Sequence, residues 1–255
     1  MIFDKEATAK SFCRKLYRFY VKNEISDEIE NDIIGPLAIE LKNNKYKALV
    51  TAGPTREYID PVRFLTNKSS GKQGYEIAKS LRDNGIETTL ISGETNLRPV
   101  EDVNFIKVES AKEMYDETIK NLPVDVAIFS AAVADFKVKN LQKMKIKKNK
   151  NLNLEFEKNI DFLSNVSNHN SLRPKLTIGF AAETNDIKKN SIKKLNDKNC
   201  DWIIANDVSD KTIGFDSDLN EVSIFYKNSK EETIKKMSKK LIADEIVNRI
   251  ITNLN

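Results

Sequence analysis

The octapeptide Asn67-Lys-Ser-Ser-Gly-Lys-Gln-Gly74 places two hydroxyls, two glycines and two lysines just ahead of an apolar helical pattern. Free backbone N–H groups at a helix start suit a phosphate, and Ser69, Ser70 and Gly71 would let one approach closely. The segment is not a Walker loop: Thr66 and Gln73 stand where that motif needs Gly and Ser or Thr. Nor is it the dinucleotide fingerprint, which follows its first strand directly. An ordinary helix start, with glycine for packing, explains the same residues, so this segment alone leaves phosphate binding open. Asp135 closes Ala131-Ala-Val-Ala-Asp135 and could meet ribose hydroxyls or a metal, although taken alone it reads as a solvated loop carboxylate. Between Lys137 and Lys150 seven lysines occur without an acid. Such a run can neutralise a triphosphate, or it can be a solvated basic loop. Lys194 and Lys198 lie one helical turn apart and could reach the same phosphates. His169 has no nucleophile or carboxylate pattern beside it, and Cys200, just before an apolar strand, reads as core.

The elements that must position these groups alternate. Residues 47–53 form a short apolar run ending in glycine, as a buried parallel strand does. A helix from near Gly71 stops at Asn84-Gly85. Strands are expected at 87–93, 104–108, 125–130, 151–157, 176–180, 202–205 and 221–226, and helices at 111–121, from Asp161, at 186–199 and at 231–254. This order implies an α/β fold, a Rossmann-like doubly wound and mostly parallel sheet with helices on both faces. Ligands of such sheets bind beyond the carboxyl ends of the strands, where Gly53, Ser92-Gly93, Ser130 to Asp135, Ala181 to Thr184 and Asn206-Asp207 fall. Residues 1–46 differ: Phe12, Leu16 and Phe19 recur at helical spacing, which predicts a helical N-terminal extension to a 47–255 nucleotide-binding domain.

Composition narrows the function classes. The chain has 255 residues, 40% hydrophobic and 31% charged, with 42 Lys and Arg against 38 Asp and Glu. That apolar fraction supports a core and excludes global disorder. A net charge of +4 is small for a nucleic-acid-binding protein, and Phe136 alone offers a ring near the lysine run, so nucleic acid is not an expected partner. The longest apolar stretch, Val126 to Ala134, is too short for a bilayer. Charge at Asp4, Lys5 and Glu6 argues against an export signal, so a reducing cytoplasmic location is expected. Cys13, Cys200 and a single His169 exclude a Cys/His zinc pattern and a disulfide framework.

Taken together, Thr51 to Glu57, Asp60-Pro-Val-Arg63, Asn67-x-Ser-Ser-Gly-Lys72, Ala131 to Asp135, Lys145-Ile-Lys-Lys148, Gly179 to Thr184 and Ala205-Asn-Asp207 resemble phosphopantothenate–cysteine ligase. That enzyme is the carboxy-terminal half of a bifunctional bacterial coenzyme A biosynthesis protein. The match runs from about Lys47 to the end in consistent order and does not cover residues 1–46. It implies that CTP with Mg²⁺ activates the carboxylate of 4′-phosphopantothenate as an acyl-cytidylate, releasing pyrophosphate. The amine of L-cysteine then displaces CMP. No enzyme nucleophile is required, consistent with the lack of a Cys–His or Ser–His pattern. What the reaction needs is charge neutralisation at phosphates and donors aimed at the acyl oxygen.

By resemblance, Asn67 holds the acyl intermediate for attack by cysteine, and Lys145 reaches the triphosphate from a flap. Arg63, Ala131 and Ala132 fall to the acid substrate. Gly53, Ser70, Gly71, Ser130, Asp135, Ile160, Asp161, Phe162, Leu163, Phe180, Lys194 and Lys198 fall around the nucleotide. Metal ligands are not assigned. Asn159-Ile-Asp-Phe162 departs from the family's Asn-Pro-Asp-Ile at the base pocket. The resemblance also implies a homodimer and no flavin; the flavin-dependent decarboxylase half, normally amino-terminal in the bacterial fusion, is expected to be missing here, which leaves room for a separate decarboxylase as a partner. ATP in place of CTP, or a non-catalytic nucleotide-binding protein of the same fold, are the alternatives.

Overall fold

The computed structural model describes residues 46–147, 153–207 and 217–255. The expected extension, apart from Tyr46, therefore lies outside the described residues, as does the far end of the lysine run. The central sheet has eight strands, β1 (Lys47–Ala52), β4 (Glu87–Ser92), β5 (Asn104–Lys107), β6 (Val126–Phe129), β9 (Leu176–Glu183), β10 (Trp202–Asp207), β11 (Leu219–Tyr226) and β12 (Glu231–Ser238). Their spatial order is β12-β11-β10-β9-β6-β1-β4-β5, parallel from β5 through β10 and antiparallel at β10–β11 and β11–β12. The mostly parallel, Rossmann-like sheet expected from the sequence is thus present.

Two apolar layers clamp it. Residues at alternate positions of a strand point to opposite faces, and β1 splits its side chains accordingly. Ala48 and Val50 join the layer built with α1 (Lys72–Asp83) and α5 (Lys239–Leu254), while Leu49 faces the layer that includes α2 (Ala111–Lys120), α3 (Phe162–Ser167) and α4 (Ile187–Asp197). Tyr46 belongs to the first layer and donates its hydroxyl to the Leu254 carbonyl at 2.7 Å, tying the two ends of the domain together. Cys200 is fully buried in the second layer. Burial pushes its thiol up to about 12, with the Asp201 charge adding, so the expected core role holds.

One expectation is corrected. Residues 231–254 were expected to form one amphipathic helix, but Glu231–Ser238 is the edge strand β12 and the helix begins at Lys239. Only Ile234 of that strand is buried, and Glu231, Thr233, Lys235 and Lys236 are exposed. A charged edge strand resists pairing with another chain, and its weak alternation imitates a polar helix face. Two small hairpins lie outside the main sheet, β2 (Arg56–Tyr58) with β3 (Phe64–Thr66), and β7 (Phe136–Val138) with β8 (Phe156–Lys158). The second is the stem of the lysine-rich segment, with Lys137 paired to Glu157 at 3.1 Å and Lys139 to Glu155 at 3.7 Å.

Candidate active site

The strand order fixes where the site must be. From β1 the chain proceeds to β4 and β5 on one side, then returns to build β6, β9 and β10 on the other. The crevice beyond the carboxyl ends of β1 and β6 is the topological switch point of the sheet. Two cavities open there. The first, about 400 Å³, is bounded by Asn67 to Gly74, Ser130 to Val133, Asp135 and Phe180. The second, about 540 Å³, is bounded by Ala131, Asp135, Ile160 to Leu163, Phe180, Lys194 and Lys198. Ala131, Val133, Asp135 and Phe180 line both, so the cavities meet along one wall.

That wall is laced to β1. The Ser130 hydroxyl donates to the Thr51 carbonyl at 2.6 Å, the Ala132 N–H to the Gly53 carbonyl at 2.9 Å, and the Ala134 N–H to the Thr55 hydroxyl at 3.0 Å. Asn67 fastens the opposite lip, its amide donating to the Val133 carbonyl at 2.9 Å and reaching the Ala132 carbonyl at 3.5 Å. Gly71 precedes α1 with φ +74, a left-handed conformation open to glycine, and no side chain caps the helix. Asn67 therefore does not serve as the N-cap. Gly74 lets α1 lie against β1 and Ser130: a Cβ there would stand 2.5 Å from the Ser130 hydroxyl and 2.6 Å from the Ala52 side chain.

In the second cavity Asp161 caps α3, accepting the Ser164 N–H at 3.0 Å, and pairs with Lys198 at 2.8 Å. Lys194 pairs with Glu183 of β9 at 2.6 Å. Both cavity lysines are thus half-buried and held by carboxylates at the mouth of the site, as one turn of α4 allows. The sequence-assigned residues Ser70, Gly71, Ser130 and Asn67 line the first cavity, and Ile160, Asp161, Phe162, Leu163, Lys194 and Lys198 the second. Three assigned residues lie outside both walls. Gly53 sits behind the shared wall as an acceptor for Ala132, and Arg63, in the β2–β3 turn, contacts Ile146, the residue that follows Lys145.

That turn is organised by Asp60, a carboxylate with no exposed surface. It accepts from Arg63 through Nε at 3.0 Å and also through Nη2, and from the N–H groups of Val62 and Arg63 at 2.9 Å and of Ile146 at 3.1 Å. Arg63 in turn donates to the Ile146 carbonyl at 3.2 Å. Both backbone polar groups next to Lys145 are therefore held. The Arg63 guanidinium keeps the Asp60 carboxyl well below the usual carboxylate range, against the opposing effect of burial. A lowered folded value means that Asp60 contributes stability in full above the unfolded carboxylate range, near 4, and loses it as pH falls toward the folded value. The melting advantage of the native chain over Asp60→Asn should accordingly stay constant from about pH 5 upward and shrink below about pH 4. A constant difference down to pH 2 would contradict this.

The family comparison agrees with the geometry. A family model described as the DNA/pantothenate metabolism flavoprotein C-terminal domain matches residues 43–254. The chain belongs to that family. Among curated relatives, it is 40% identical over 208 residues to the coenzyme A biosynthesis bifunctional protein CoaBC of Vibrio vulnificus, 80% of this chain and 51% of that protein. It is 41% identical over 205 residues to CoaBC of Bacillus subtilis, 79% of this chain and 50% of that protein. The chain spans about half the length of these relatives. Among solved structures it is similar to the C-terminal domain of CoaBC, with TM-score 0.70 and 38% identity over 83% of this chain and 98% of that one. The DNA/pantothenate metabolism flavoprotein from Streptococcus pneumoniae gives TM-score 0.69 and 26% identity, covering 82% of this chain and 99% of that one. The resemblance read from the motifs is borne out.

The structure brings Gln73, Asn206, Asn220 and Lys239 to the first cavity, from β10, β11 and the starts of α1 and α5; Gln73 and Asn206 lay in motifs noted in the sequence without an assigned role, and Asn220 and Lys239 were not singled out. Gln73 joins the last two, donating to the Lys239 carbonyl at 3.2 Å and accepting from the Asn220 amide at 3.4 Å. Lysine is so frequent in this chain that Lys239 carries no signal by type. Its burial, at 6% exposure, is visible only in the fold.

Proposed function

We propose that the chain is the ligase that joins 4′-phosphopantothenate to L-cysteine at the expense of CTP. The observation that carries this reading is the pair of cavities sharing the Ala131–Asp135 wall, one lined by Asn67 and the small-residue loop, the other by Lys194 and Lys198. A nucleotide seated in the second cavity with its phosphates reaching Ser70, Gly71 and Ser130 of the first, and an acid held at Asn67, Ala131 and Ala132, would bring carboxylate and α-phosphate together at that wall. A carboxylate oxygen attacks the α-phosphorus and pyrophosphate leaves; the cysteine amine then attacks the acyl carbon and CMP leaves. Lysines at the second cavity and on the flap neutralise the charge that builds on the departing pyrophosphate.

Mg²⁺ fits this arrangement as a nucleotide-borne ion that neutralises phosphate charge. It commonly binds through one or two carboxylates and substrate phosphates. Asp135, exposed where the cavities meet, offers such a carboxylate; among the described residues no group of three or more His, Cys, Asp or Glu could hold a metal by itself. Flavin has no role in either half-reaction, so this reading assigns residues 47–255 no part in decarboxylation of the product. A cytoplasmic location belongs to it too, checked by cell fractionation; no helix among the described residues is long and apolar enough to cross a membrane.

With Mg²⁺, 4′-phosphopantothenate and cysteine, CTP should give the cysteine amide, CMP and pyrophosphate, with little product from ATP. Mass spectrometry of reactions that differ only in nucleotide decides it. Equal yields would contradict the preference for CTP, a larger yield from ATP would move the assignment to ATP, and phosphopantetheine from the flavin-free chain would overturn the stated scope. A homodimer is proposed on the same footing: Val62, Phe64, Phe136, Met144 and Phe156 are exposed apolar side chains on the two hairpins and the lysine-rich segment. Surface of this kind marks contact sites. Sedimentation should find a dimer at micromolar concentration, and a monomer would contradict it.

A further inference from the structure

We propose that Asp60 is a positioning residue for the first half-reaction, holding the flap so that Lys145 is set for the departing pyrophosphate. This rests on the ligase reading above. Asp60 lines neither cavity, so it acts through the flap and not by touching substrate. Its two buried oxygens divide their contacts. Oδ1 accepts the N–H groups of Val62 and Arg63, both at 2.9 Å, as a turn-forming aspartate does. Oδ2 accepts from Arg63 Nε at 3.0 Å, from Arg63 Nη2, and from the Ile146 N–H at 3.1 Å. The local turn needs only the first oxygen. The second reaches 86 residues along the chain to the flap.

The flap is tied to this hairpin at two points. The Gln142 N–H donates to the Ile59 carbonyl at 3.1 Å. Ile146 is held on both sides, its N–H by Asp60 and its carbonyl by Arg63 at 3.2 Å. Between the ties run Lys143, Met144 and Lys145, all exposed, Met144 to 81%. Their side chains bury little, so the ties on either side are what hold this stretch of backbone. The bonds at Oδ2 have an ionised acceptor, which makes them roughly twice as strong as neutral ones. Ordering a free backbone costs entropy at every residue, so a flap anchored beforehand loses less when its lysine meets phosphate.

Asp60→Asn separates the two oxygens. Its carbonyl keeps the Oδ1 contacts of the turn, while its NH₂ meets the Arg63 guanidinium and the Ile146 N–H, donor against donor. The test measures pyrophosphate release before cysteine is added, at neutral pH, in the native chain, Asp60→Asn, Lys145→Gln and the double variant. Asp60→Asn should slow release about 10–100-fold, the scale of a small misplacement at a reacting centre. In the Lys145→Gln background the same substitution should cost no more than about twofold, the scatter within which separate effects add. Asp60→Ser, whose hydroxyl also forms such turns and rotates away from Ile146, carries the same cycle where Asp60→Asn does not fold. An aspartate that only stabilises the turn, or acts only through Arg63, predicts equal slowing in both backgrounds, and that result would overturn the assignment alone. Native release by the folded Asp60 variant would overturn it too. A native chain that releases no pyrophosphate from either CTP or ATP would overturn the ligase reading, and the assignment with it.

Discussion

Lys145→Gln should slow pyrophosphate release about 10²–10³-fold, the usual cost of removing one charge-stabilising contact to a transition state. Lys145 is exposed, and both backbone polar groups of the next residue, Ile146, are held by Asp60 and Arg63. The flap cation therefore stands on an anchored base, and the loss should fall on the first half-reaction. Because the side chain is exposed, the variant should melt as the native chain does, which separates chemistry from folding. A solvated lysine with no part in the reaction predicts native rates. Pyrophosphate release measured before cysteine is added distinguishes the two, and a native rate in the variant would remove Lys145 from the mechanism.

Asn67→Asp should separate the half-reactions. The substitution is nearly isosteric but converts a donor amide into an anionic acceptor facing the Val133 carbonyl, which Asn67 contacts at 2.9 Å. A negative charge there opposes the oxyanion that forms when the cysteine amine attacks the acyl carbon. The expected result is pyrophosphate release in the first turnover followed by retention of acyl-cytidylate, with CMP release slowed at least about 10²-fold. A helix-capping role would tolerate Asp well, but α1 is preceded by Gly71 with no side-chain cap, so capping does not account for Asn67. The competing account is that Asn67 only fastens the loop to the wall. On that account both half-reactions slow together. Single-turnover assays that follow pyrophosphate and CMP separately decide between them, and parallel release of the two products would contradict the assigned role.

The parallel strands were legible because burial on both faces makes them continuous apolar runs, as in Val126–Phe129, and because glycine or asparagine follows each early helix. Given that order, the rule that ligands bind beyond the carboxyl ends of the strands placed Ala131 and Asp135 at the rim before any contact was known, while Asn67 came from the family resemblance. The hairpin β2–β3 and strand β7 were not legible, since three-residue strands are too short to show a period, and the strand expected over 151–157 meets β8 only at Phe156 and Glu157. The helix expected over 231–254 failed at β12 because its place at the sheet edge leaves almost nothing but Ile234 to bury. Asn220 and Lys239 escaped notice for a topological reason. They reach the site from the antiparallel end of the sheet, and only the packing of α5 against α1 returns that end to the cavity. Arg63 illustrates a further limit. Its type and motif suggested substrate, and the structure adds a contact of its guanidinium with the carbonyl of Ile146, 83 residues away, that no local pattern announces.

Activation of the acid as a mixed anhydride with CMP is tested most directly by isotope transfer. 4′-Phosphopantothenate labelled with ¹⁸O in its carboxylate is carried through one complete turnover with CTP and cysteine. The nucleotide and pyrophosphate are then weighed by mass spectrometry. Attack of the carboxylate on the α-phosphorus, followed by displacement at the acyl carbon, must leave one ¹⁸O in CMP and none in pyrophosphate. Unlabelled CMP, with the heavy oxygen in pyrophosphate or inorganic phosphate, would contradict the account.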